Sequence, residues 1–328
     1  VDSIEETVRC RDVTGRLREI RLSFGSDFVS PGSVLSQQLV KANEQLYVRK
    51  FVSRADGGRH PRLYRMLDNE VRAGTRLAQV FADRYPAELA QLVAYNMDTD
   101  EPFVLLRAYL GDPAAASLKH FDDAAGRRFQ IGLLRALHLT GVAGVVHGAV
   151  SVNAVRWSDG QVQLVDFESA GRAGEPRVTA GVPPVRSPEQ AAGADVADVR
   201  DDLWAAGQLI RTLYAAAPGN DVSPDRSRDP ERLRVLLDDV FDKPLEQRPY
   251  AAGLLQKLHA PAPTPVVTNP DEAFQEGRRA FDRISADRRM PSGRATSPPP
   301  VPRSKLTLLV LATLVLVAGV IIGLAVLL

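Results

Sequence analysis

Residues able to do chemistry gather between Val145 and Gln190, which reads VVHGAVSVNAVRWSDGQVQLVDFESAGRAGEPRVTAGVPPVRSPEQ. The stretch holds a histidine in a turn (His147), an Asp-Phe dipeptide (Asp166, Phe167) and a Ser-Pro-Glu (Ser187 to Glu189). A histidine there could pass protons as general acid or base. Val155 and Trp157, a Ser-Asp-Gly turn, then Val162 and Leu164 predict two short strands joined tightly before Asp166. No pair among His60, His120, His138, His147 and His259 has zinc-ligand spacing, and Cys10 is the only cysteine. No structural metal and no internal disulfide are therefore expected, and a lone cysteine fits a reducing compartment.

These motifs resemble those of the protein kinase superfamily, over roughly residues 20 to 260. The family's H-R-D-L-x-x-x-N, D-F-G and A-P-E correspond here to H-G-A-V-S-V-N-A, D-F-E and S-P-E, in the same order. The resemblance implies that the family's proton-accepting aspartate falls on Ala149, which has no accepting group. The family's second metal-binding position falls on Ala154, with Asn153 one place early, and the glycine of D-F-G is Glu168. The implied metal ligand that remains is Asp166.

The resemblance extends to both sides. Gln45 to Val52 (QLYVRKFV) is rich in β-formers and puts Lys50 at the family's phosphate-binding lysine. Apolar residues at Leu63, Met66, Leu67, Val71, Leu77 and Val80 predict a helix, with Glu70 placed to pair with Lys50 and Asp68 as competitor. The segment RAYLGDPAAASL resembles the connection that carries adenine, with backbone groups of Ala108 to Leu110 facing it. A glycine-rich phosphate loop is reduced to Gly32 beside Pro31. His147 and Phe167 are implied to be structural, as are a Glu189–Arg248 pair and Asp202 tied to the backbone near His147. Gly148 stands where regulated family members carry arginine, so control by loop phosphorylation is not expected.

The resemblance implies an α+β, bilobal protein kinase-like fold with a five-stranded N-lobe and a mainly helical C-lobe. The expected organisation is an N-terminal segment 1–19, a kinase-like domain 20–260 (N-lobe 20–108, C-lobe 109–260), a disordered linker 261–305 and a transmembrane helix 306–328. The linker holds nine prolines. Leu306 to Leu328 carries no charge and as a helix spans about 34 Å, enough for a bilayer core of about 30 Å. Arg303 and Lys305 beside it predict a cytoplasmic domain and a single-pass cell-membrane protein, a layout that resembles the membrane-anchored bacterial Ser/Thr kinases. With 41 basic and 40 acidic residues, charge gives no reason to expect a nucleic-acid partner.

The function read from these residues is a membrane-tethered pseudokinase, acting as a signalling scaffold or regulator on cytoplasmic proteins. ATP, with magnesium, would bind weakly or not at all. A slow or unorthodox Ser/Thr kinase is the alternative, with Glu168 or Asp198 replacing the lost base. A third reading has no nucleotide and a collapsed cleft in which Lys50 pairs with Asp166 or Glu168.

Overall fold

The first hairpin is set by one aspartate. Asp12 ends β1 (Glu5–Asp12), and its carboxylate accepts from Thr14 N–H (2.9 Å), Thr14 Oγ1 (2.6 Å) and Arg16 N–H (3.1 Å), turning the chain into β2 (Leu17–Asp27). β3 (Ser36–Ala42) and β4 (Gln45–Phe51) are joined by Asn43 and Glu44, both at positive φ, a two-residue turn whose twist matches the strands. After α1 (Arg54–Arg59) and α2 (Arg62–Phe81) come β5 (Leu92–Asn96) and β6 (Phe103–Arg107). The six strands form a closed antiparallel barrel in the order β1-β2-β3-β4-β6-β5, and pairing of Arg11 with Tyr95 and Asp12 with Ala94 shuts it.

Strand alternation sorts the barrel side chains into two apolar clusters. Cys10, Leu22, Val40, Ala94, Phe103 and Leu105 make one. Val48, Val104 and Leu106 make the other, against Leu67 and Val71 of α2. Lys50 lies two residues beyond Val48 on β4 and is buried with it. An ammonium on an apolar face must find counter-charges there.

The rest of this unit is mainly helical. β7 (Asp112–Pro113) and α3 (Ala114–Ser117) lead to α4 (Asp123–Val142), capped by Asp122, whose carboxylate accepts from Ala125 N–H at 2.6 Å. Phe129, Leu133, Ala136, Leu137 and Thr140 recur at helical spacing on its buried face. Each large apolar chain buried there contributes about 1.5–3 kcal/mol. β8 (Val145–Val146) precedes the hairpin of β9 (Val155–Ser158) and β10 (Gln161–Leu164), turned by Asp159 and Gly160 at positive φ. β11 (Gly171–Arg172), α5 (Pro188–Ala192), α6 (Asp201–Thr212), α7 (Glu231–Phe241) and α8 (Ala251–Lys257) follow.

This description comes from a computed structural model and covers residues 5–177, 186–193, 195–214, 226–272, 275, 276 and 279. Val1–Pro270 form one unit and Asp271–Leu328 a second, in which the described residues are helical.

The expected fold class requires correction. The bilobal kinase-like arrangement with a five-stranded N-lobe is overturned by closure of the sheet into a six-stranded antiparallel barrel. The physical cause is β1, which lies in the segment set apart as 1–19 and pairs with both β2 and β5, leaving the barrel no open edge. The boundary at residue 20 falls inside β2. Residues 261–268, assigned to a disordered linker, lie against the helices: Pro263 O contacts His138 Nε2 at 3.0 Å, and Thr268 N–H donates to Val80 O at 2.9 Å. Among the described residues no helix is long and apolar enough to cross a membrane. The expected transmembrane helix 306–328 lies outside the described residues, as does most of the linker.

Candidate functional site: a buried lysine ringed by carboxylates

Strand register and helix spacing bring Lys50 to Glu70. The distance from Nζ to Oε2 is 2.9 Å. Two further carboxylates reach the same ammonium from the turn after β10: Glu168 Oε1 at 3.0 Å and Asp166 Oδ1 at 2.7 Å. The Asp166 contact is a charge–charge pair, and Asp166 Oδ1 has no hydrogen-bond partner. Asp166 sits at φ 63°, ψ 60°, which aims the turn back at β4, and α2 holds the turn through Asn69 Nδ2, donating to Glu168 O at 2.9 Å. Lys50 is 0% exposed, and Glu70, Asp166 and Glu168 are all buried.

Burial pulls the Lys50 ammonium down, but Asp166, Glu168 and Glu70 outweigh it and hold the group well above its ordinary value. Burial pushes Glu70 up to about 7, only partly offset by Lys50. The reason is that one cation cannot neutralise three buried carboxylates.

A loop from the barrel covers this cluster. Ser30 Oγ donates to Asp166 Oδ2 at 2.7 Å, Ser33 Oγ donates to Glu168 Oε1, and Val34 N–H donates to Glu168 Oε2 at 3.0 Å. Between the serines, Gly32 lies so close that a Cβ there would stand 2.7 Å from Asp166 Oδ2 and 2.9 Å from Asn153 O. Only glycine permits this approach. Ser30 and Ser33 had no signal in the sequence, because their partners lie more than 130 residues away in an irregular segment.

The connection after β6 is closed as well. Ala108 N–H donates to Leu46 O at 3.3 Å, and Leu110 N–H donates to Gln163 Oε1 at 2.9 Å. The guanidinium of Arg156, which sequence reasoning passed over, lies against Tyr109 and Phe28.

Several groups in the frame around the site are held by hydrogen bonds. His147 is buried, its Nε2 is 2.8 Å from Val165 O, and Ala149 N–H donates to its Nδ1 at 3.3 Å. These partners fix the Nε2–H tautomer, and burial pulls its pKa down to about 4 despite the bond to Val165. His147 also packs edge-on against Phe167, with ring centroids 4.8 Å apart. Asp202 accepts from His147 N–H (2.6 Å) and Gly148 N–H (2.8 Å), yet burial pushes it up to about 7. Glu189 and Arg248 pair through both oxygens at 2.9 and 2.8 Å. Gly148 has φ 77°, and a Cβ there would stand 2.5 Å from Ser169 O, so the position cannot take an arginine without a shift.

As arranged, these residues do not fit magnesium and ATP. The ammonium faces three carboxylates, both Asp166 oxygens are engaged, and the backbone donors of Ala108 and Leu110 have partners. Among the described residues, no group of three or more His, Cys, Asp or Glu side chains is arranged to hold a metal. Ala149 offers no proton acceptor. Glu168 is held by Lys50, Ser33 and Val34, and Asp198 is turned onto Arg200 at 2.8 Å.

No protein-family model and no curated protein matches the sequence.

Proposed function

We propose that the chain is a regulator that acts by binding cytoplasmic signalling proteins, held at a membrane by the apolar run 306–328, and that it transfers no phosphoryl group. The observation that carries this reading is the buried Lys50, surrounded by Glu70, Asp166 and Glu168 and covered by the Ser30–Ser33 loop. A lysine serving phosphate must present its ammonium to a ligand. Here the ammonium is spent on the protein's own carboxylates. The groups that could replace the base missing at Ala149 are tied elsewhere, which weighs against slow transfer as the alternative. Retention of the Glu189–Arg248 pair and the Asp202–His147 bonds supports a surface held in shape rather than a site at work.

The test is thermal unfolding of the full chain with millimolar ATP, alone and with Mg²⁺ or Mn²⁺. A ligand that binds only the folded state raises its stability by RT ln(1 + [L]/Kd). The expected result is an unchanged transition under all conditions. A metal-dependent rise, or incorporation of labelled phosphate into any protein substrate, overturns the proposal.

A further inference from the structure

The corner between α1 and α2 concentrates positive charge that no neighbouring carboxylate balances. Arg59, His60, Arg62 and Arg65 follow closely in sequence, with no acidic residue among them, and all four are exposed. The carboxylates on either side are engaged: Asp56 accepts from Ser53 Oγ at 2.7 Å, and Asp68 pairs with Arg72 at 2.8 Å. On the barrel, Arg9, Arg18 and Arg21 each pair with a carboxylate. Among the described residues, Arg59, Arg62 and Arg65 have no such partner. Helix stability would choose the opposite sign here, because the N-terminal end of a helix dipole is positive. Accordingly α4, α6 and α7 carry Asp123, Asp201 with Asp202, and Glu231 in their first turns. The first turn of α2 has no acidic residue and no side-chain cap, and it holds Arg62 and Arg65.

We infer that Arg59, Arg62 and Arg65 form a docking surface for an anionic lipid leaflet. Charge complementarity selects this partner. None of the large hydrophobic side chains exposed among the described residues lies in this corner, so the patch offers no apolar anchor of the kind that fixes a protein partner. It exposes no aromatic face on which the bases of a single strand would stack, since Tyr64 is half-buried against Gly57. A lipid surface requires neither, only a cluster of cations, and each arginine held near an anionic leaflet raises affinity about fivefold. This inference rests on the membrane tether of the proposed function. A unit already linked to a bilayer meets its surface at high effective concentration, so three arginines suffice to set which face it turns toward the lipid. With no side chain to insert, the contact is electrostatic and is abolished by salt.

The experiment mixes the full chain with vesicles of phosphatidylcholine alone, or with about one third phosphatidylglycerol to supply the anionic surface. Arginine labelling by a dicarbonyl reagent is then read residue by residue by mass spectrometry. Arg16 and Arg234, both exposed, set the scale. The expected result is that labelling of Arg59, Arg62 and Arg65 falls at least about fivefold on anionic vesicles and not on neutral ones. Labelling should return in 1 M NaCl, where charges are screened beyond about 3 Å. Equal labelling on the two vesicle types overturns this inference. If both types nevertheless hold the chain, the tether and the proposed function stand; if neither does, the tether falls as well. Protection on anionic vesicles by a chain that neutral vesicles do not hold upholds the docking surface and removes the tether. Poly-glutamate and a single-stranded oligonucleotide are tested at the same concentration of charge. Stronger protection by either than by anionic vesicles overturns the assignment to lipid.

Discussion

Lys50 is where sequence and structure bear most directly on each other. The strand pattern around it and the helical spacing of Glu70 were legible, because each depends on neighbours within a few residues. Its other partners were not, since Asp166 and Glu168 lie more than 110 residues further on and Ser30 and Ser33 occupy a segment without periodicity. Replacing Lys50 by Met keeps most of the stem and removes the ammonium that pairs with three buried carboxylates. The expected cost is about 3–5 kcal/mol, a large part of an ordinary domain's stability, measured by urea unfolding. A loss under about 1 kcal/mol would contradict the cluster. The pH dependence has a definite sign. Glu70 is raised in the fold, so its contribution is present below its ordinary range near 4.5 and is lost as pH rises through about 7. The stability of the native protein relative to Glu70→Gln should therefore fall across that interval and level off above it. His147 works in the opposite direction: its folded value is depressed to about 4, so the stability it contributes is lost as pH falls from 6.5 toward 4.

At the scale of elements, turns were easier to read than closure. Asp159–Gly160 marks its hairpin by residue type, and α2 and α4 by apolar spacing. The strand β1 (EETVRCRD) was missed because it is mostly charged, with only Val8 and Cys10 turned toward an apolar cluster. Its pairing with β5 joins residues more than 80 positions apart, which no local pattern announces. That single strand turns an open sheet into a barrel and invalidates the expected fold. The covering loop is the element whose behaviour matters most for function. Gly32→Val places a branched side chain where even a Cβ meets Asp166 and Asn153, so the loop must lift. Hydrogen exchange of residues 28–35 should rise by at least tenfold in this variant, beginning with the Val34 amide that donates to Glu168. Unchanged protection there would mean that the loop is not packed as described.

For the molecule as a whole, the unit Val1–Pro270 is distinct from the apolar run 306–328, for which a bilayer is proposed. Charge balance and the paired interior groups leave the chain's surface as the candidate working part, which is why the function proposed is binding. Deleting residues 306–328 should move the expressed protein from the membrane fraction to the soluble fraction without changing the thermal transition of the barrel and helices. Retention in the membrane fraction would show that this run is not the tether.

The central claim is that Lys50 is sealed among its own carboxylates, and amine acylation read residue by residue by mass spectrometry tests it most directly. Lys41, Lys119 and Lys243 are exposed and provide the internal rate standard. Lys50 should stay unmodified while these three react, Mg²⁺ and ATP should change nothing, and Lys50 should react at their rate once the chain is unfolded in urea. Labelling of Lys50 in the folded protein at the rate of the exposed lysines, with protection by Mg²⁺ and ATP, would contradict it: the lysine would then face a working nucleotide site.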